Sequence, residues 1–174
     1  YGVITENVLE QIVLIAKKYK LPLFGDLQCS TQLGSILKFK DFSLLSPNEK
    51  EARIAIQNKE ISLELLSKKI LEETHAQNLI MKLGSDGFII YAKAKDKDNE
   101  IFSQAFPALV PNPVDVTGAG DALLAVMAVG MSIKEDTLCT AAIACCQASL
   151  AVKTMGNVPI EFKDLNKEII FVLD

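Results

Sequence analysis

Apolar residues recur at helical spacing near the start of the chain. Val8, Leu9, Ile12, Val13, Ile15 and Ala16 line one stretch from Glu6 to Lys20, and Thr5 ahead of them is a good N-cap. The period then changes. Leu21–Phe24 is a continuous apolar run stopped by Gly25 and Asp26, the form of a buried parallel strand. A second short run, Ser43–Leu45, leads through Ser46 and Pro47 into a charged helix from Asn48 to Gln57. A further helix, Ser62–Glu73, precedes a strand over Leu79–Leu83. Gly84–Gly87, reading GSDG, predicts a turn, and Phe88–Ala92 with Glu100–Phe106 predicts a hairpin around the charged tip Lys93–Asn99. After the proline-rich stretch Pro107–Pro113 comes DVTGAGD, Asp115–Asp121, then two helices, Ala119–Met131 and Lys134–Lys153. The tail, Pro159–Asp174, holds a short helical pattern and a final apolar stretch, Ile169–Leu173.

Strands alternating with helices predict an α/β fold, a three-layer α/β/α sandwich around a mostly parallel sheet. With 174 residues, 49% of them hydrophobic, the chain suits a single domain over 1–174 with a sizeable core. Tyr1 in place of Met, and a helix almost at once after it, lead us to expect the C-terminal part of a longer protein.

A net charge of −4 provides no broad basic footprint, which argues against nucleic acid or an anionic membrane as partner. Cys29, Cys139, Cys145 and Cys146 form no CxxC pair and read as reduced core thiols, and no run is long enough for a membrane span. A cytoplasmic protein is expected. The one histidine, His75, stands in a polar run and reads as a surface or helix-end residue, not a ligand.

The candidate chemistry lies in Gly118-Ala119-Gly120-Asp121, small residues that open a long Ala/Leu/Val helix. Such a turn gathers unpaired amides and the positive end of a helix dipole around one point, a place for anionic oxygens. Asp121 is placed to accept a proton there, although the same carboxylate could simply cap the helix. No GxxxxGK[ST] occurs, and Leu123 holds the place of the third glycine of GxGxxG, so a Rossmann dinucleotide site is disfavoured.

DVTGAGD followed by Ala122–Gly130 resembles the C-terminal signature of the PfkB, ribokinase-like carbohydrate kinases. The resemblance implies that Asp121 is the base that deprotonates the acceptor hydroxyl and that Gly118, Ala119 and Gly120 stabilise the phosphoryl group in transfer. Ser46–Arg53, SPNEKEAR, is similar to the family's NxxE motif, which assigns Asn48 and Glu51 to a Mg²⁺ held mainly through water. Read without the family, the pair is an N-cap followed by an exposed acid. Met81–Phe88, MKLGSDGF, resembles the nucleotide loop at a strand end, with Gly84, Gly87 and, in an unusual choice, Lys82 beside the phosphates. It also reads as no more than a tight turn. Asp115 and Thr117 match positions that bind a monovalent cation, such as K⁺, in some members, and Cys145 stands where relatives offer an Asn to the adenine.

The opening YGVIT and LFGDLQ look most like the kinases of phosphorylated heptoses, with Asp26 either facing the acceptor or capping the next turn. The family reading therefore implies an enzyme that uses ATP and Mg²⁺ to phosphorylate a sugar or sugar phosphate, with a homodimer in the full-length protein. A nucleoside kinase of the same fold and a noncatalytic nucleotide-binding module are the alternatives.

Overall fold

Side-chain caps mark where several of the helices begin. The computed structural model describes residues 4–27, 35–93, 101–156 and 158–173. Among these residues the helices are α1 (Glu6–Tyr19), α2 (Glu49–Ile56), α3 (Leu63–Thr74), α4 (Ala119–Ser132), α5 (Thr137–Ala151) and α6 (Phe162–Leu173). Thr5 Oγ1 accepts from Val8 N, Asn48 Oδ1 from Glu51 N and Ser62 Oγ from Leu65 N. Each satisfies one amide that the first helical turn leaves unpaired. Asp136 does the same for α5, accepting from Leu138 N and Cys139 N. This is why α5 starts at Thr137 and not, as the apolar pattern predicts, at Lys134, whose φ of 63° is outside the helical region.

The strands are β1 (Phe24–Gly25), β2 (Leu44–Leu45), β3 (Asn78–Lys82), β4 (Phe88–Lys93) and β5 (Ile101–Phe106), in the spatial order β1-β2-β3-β4-β5. β1, β2 and β3 run parallel, with Phe24 opposite Leu44 and Leu45 opposite Leu79. β1 begins three residues later than the apolar run suggests. Leu21 belongs to the end of α1, its N–H bonded to Ala16 O, and its side chain is exposed. Only five residues separate β3 from β4, and neighbouring strands joined so tightly are antiparallel. The bonds Leu83 N to Gly87 O and Lys93 N to Gln77 O fit that pairing.

By internal contacts the chain groups into two compact units, residues up to 81 with 91–103, and residues 82–90 with 104 onward. In the first, Leu44, Leu45, Leu66, Ile70, Leu71, Leu79, Ile80 and Met81 are fully buried. Each contributes about 1.5–3 kcal/mol of transfer free energy. In the second, α4 packs on α5 through small residues: a Cβ on Gly130 would collide with the Thr140 side chain. α6 is held to α5 by Glu168, which accepts from Ser149 Oγ at 2.8 Å and Lys153 Nζ at 2.6 Å. The terminal apolar stretch Ile169–Leu173 is part of this one continuous helix.

Cys145 and Cys146 are buried thiols, but Cys139, on the first turn of α5, is exposed and so is not part of the core. His75 is the exposed left-handed cap ending α3. Cys29 and the hairpin tip beyond Lys93 lie outside the described residues. Among those described, no helix is long and apolar enough to cross a membrane.

Candidate active site

Gly118 is the N-cap of α4 with φ 80°, a backbone conformation that disfavours any side chain. The helical ladder starts at Ala122, whose N–H reaches Gly118 O at 2.8 Å, and Ala119 N makes only a 3.4 Å bond to Val116 O. The amides of Gly120 and Asp121 therefore lie ahead of the ladder, at the positive end of a 14-residue helix. Asp121 is exposed, at the third helical position. Because Gly118 is the cap, and caps without any side-chain bond, the carboxylate of Asp121 is not the group that starts the helix.

The chain entering this turn is fixed by Asp115. Its Oδ1 accepts from Thr117 N and its Oδ2 from Gly156 N, both at 2.9 Å, while Val152 O accepts from Val114 N at 2.8 Å. Hydrogen bonds from the Thr117 and Gly156 backbones hold the Asp115 carboxyl below its ordinary range. Each oxygen keeps further lone pairs, so this hard oxygen set remains compatible with a monovalent cation beside Asp115 and Thr117.

Gly84 and Gly87 separate in role. Gly84, at φ 63°, has nothing within 4 Å of the position its Cβ would take, so its face of the turn is open to a ligand. Gly87, at φ 89°, is occupied by the chain itself: a Cβ there would collide with Phe106 O and lie 2.7 Å from Ala108 N. Lys82, half-buried, ends β3 just before this turn. Cys145 is 8% exposed and its Sγ donates to Pro107 O at 3.2 Å. Cys145, at the position where relatives offer an Asn to the adenine, thus has its thiol turned to the backbone that follows β5.

In the other unit, Asn48 and Glu51 close a reciprocal capping box, Glu51 Oε2 accepting from Asn48 N and Asn48 Oδ1 from Glu51 N, both at 2.8 Å. Glu51 is buried and not the exposed acid of the simpler sequence reading. The Ser46 hydroxyl, two residues ahead of Asn48, is buried without a hydrogen-bond partner among the described residues. An oxygen-only donor set beside a buried hydroxyl that calls for water fits a Mg²⁺ that keeps its hydration shell. Asp26, in the same unit, accepts from Leu27 N at 2.8 Å.

Sequence reasoning missed Pro107 and the use made of Gly156. Both act through the backbone, and their partners are 38 and 41 residues away, so no local pattern marks them.

A model of the pfkB family carbohydrate kinases matches residues 4–161. The chain belongs to this family. Among curated relatives, the bifunctional protein HldE of Campylobacter curvus is 29% identical over 170 residues, covering 95% of this chain and 34% of the relative. That of Desulfatibacillum aliphaticivorans is 26% identical over 171 residues, 97% of this chain and 33% of the relative. Among solved structures, Arabidopsis thaliana ribokinase complexed with ribose and ATP superimposes with a TM-score of 0.75 at 26% identity, over 95% of this chain and 53% of that one. Escherichia coli phosphofructokinase-2 in complex with potassium does so at 0.76 and 15% identity, over 98% and 54%. The pfkB chain described here has the ribokinase-like α/β fold, and it spans about a third of the curated relatives and about half of the solved kinases.

Proposed function

We propose that this pfkB chain carries the ATP side of a cytoplasmic kinase that transfers the γ-phosphoryl group of ATP to a hydroxyl of a sugar or sugar phosphate. The observation that carries the reading is the Gly118–Asp121 turn, where ladder-free amides and an exposed carboxylate share the start of one helix. Asp121 takes the proton of the acceptor hydroxyl as its oxygen attacks the γ-phosphorus, and the bond to the bridging oxygen breaks to release ADP. The amides of Gly118, Ala119, Gly120 and Asp121 face the charge spread over the phosphoryl oxygens, so catalysis is mostly positioning and electrostatics. Gly84 leaves room for the nucleotide phosphates, with Lys82 beside the turn. Asn48 and Glu51 would hold Mg²⁺ through water, and Asp115 and Thr117 would adjoin a K⁺. These ions supply neutralisation of phosphate charge when bound.

The HldE relatives, together with the YGVIT and LFGDLQ segments, favour a heptose phosphate as acceptor. The test is calorimetry with Mg·ATP beside a phosphoryl-transfer screen over heptose phosphates, ribose and fructose, using the intact protein. Transfer to one acceptor is the expected result. ATP binding with no transfer to any of them would instead make the chain a noncatalytic nucleotide-binding module.

A further inference from the structure

The exit of β5 is held at two points that the sequence does not connect. β5 ends at Phe106, and Pro107 carries its carbonyl out of the sheet with no N–H of its own. That carbonyl accepts from the Cys145 thiol of α5, at 3.2 Å, on a residue 8% exposed. Burial pushes the thiol up to about 11, so it stays protonated and able to donate at neutral pH. The same segment presses on the turn after β3. A Cβ at Gly87 would collide with Phe106 O and lie 2.7 Å from both Ala108 N and Pro107 C, and the rings of Phe88 and Phe106 stack at 5.0 Å. The turn is closed on itself by Leu83 N to Gly87 O, 2.8 Å, and Gly87 N to Gly84 O, 3.1 Å. Gly84, three residues from the contact, is the open face.

We infer that Cys145 is a positioning residue for the nucleotide turn: its S–H holds the Pro107 carbonyl, and the Phe106–Ala108 backbone held in this way seats Gly84–Gly87. The inference rests on the kinase reading for what the turn binds. Cys145 then acts on nucleotide affinity through the phosphates and ribose and makes no contact with the base.

Cys145→Ala removes the donor, and Cys145→Ser restores one with a shorter reach. In the nucleotide-free protein, hydrogen exchange at the Leu83 and Gly87 amides should quicken in the alanine variant by about fivefold, the scale of one net hydrogen bond, and fall back toward wild type in the serine variant. By calorimetry, ATP and inorganic tripolyphosphate should weaken by the same factor. In turnover, KM for ATP should rise about fivefold while kcat stays within about twofold. Unchanged exchange at Leu83 and Gly87 would overturn the inference, and so would an alanine variant that weakens ATP while leaving tripolyphosphate untouched, because that pattern marks direct contact with the base. A wild-type protein that binds neither ligand would remove the kinase reading, while the exchange measurement still decides whether Cys145 seats the turn.

Discussion

Asp115 and Gly156, 41 residues apart in the chain, are joined by a 2.9 Å hydrogen bond from the glycine amide to a carboxylate oxygen. The other oxygen accepts from Thr117 N, one residue before the cap of α4. One side chain thus ties the segment leading into the Gly118–Asp121 turn to the segment that leaves α5. The bonds favour the charged carboxylate, and the Asp115 carboxyl is held below its ordinary range. A lowered folded-state pKa stabilises the fold above the unfolded value of about 4, and the contribution is lost as pH falls through the folded value. Asp115→Asn should therefore lower the melting temperature at pH 7, and its gap to wild type should close in acid. Thermal melts of both proteins from pH 7 to pH 2 measure this. A gap that persists unchanged at the lowest pH contradicts it.

Asp121→Asn keeps the side chain's size and removes its basicity. Because Gly118 and not Asp121 caps α4, the substitution should leave the melting temperature nearly unchanged. Turnover should fall by about 10²–10⁴, with ATP affinity close to wild type. Steady-state rates and ATP calorimetry on the two proteins test the pair of expectations together.

The two glycines of the GSDG turn should respond differently to alanine. At Gly84 the space is open and only the positive φ is penalised, at about 1 kcal/mol. At Gly87 the new Cβ also meets the backbone of Phe106–Ala108, which cannot step aside as a flexible side chain would, and the loss should reach about 3 kcal/mol or more. Urea unfolding of both variants ranks them.

Gly130 lets α4 lie against α5 at Thr140. A Cβ there would collide with Thr140 Cγ2 and lie 2.6 Å from Oγ1. Gly130→Ala should cost about 1–3 kcal/mol, and Thr140→Ala placed on top of it should recover part of the loss. Additive losses in the double mutant would show that the two helices do not meet as described. If the α4 start moves with the helix, turnover should drop alongside stability.

Much of the local structure is legible in single residues. Thr5, Asn48 and Ser62 are recognisable as helix starts because an N-cap acts on an amide only two or three residues ahead. The DVTGAGD turn is legible for a similar reason: its glycines, its carboxylate and the helix it opens are contiguous. The first strand is misplaced by the apolar pattern because Leu21 serves the end of α1, a bond back to Ala16 that outweighs its hydrophobicity. The burial of Glu51 is likewise hidden, since the same Asn-x-x-Glu spacing fits an exposed or a buried acid.

For the Asp121 turn itself, the sequence determined the chemical groups and their order along the chain, because close neighbours in sequence are close neighbours in space. Only the tertiary structure decided what holds that turn and the GSDG turn in place. Gly156 reaches Asp115, Cys145 reaches Pro107, and Gly87 takes the backbone of Phe106 against it, each across a gap in sequence. Hydrogen bonds and close contacts depend on distance in space, and residues far apart in sequence come within reach only once the helices and strands have packed.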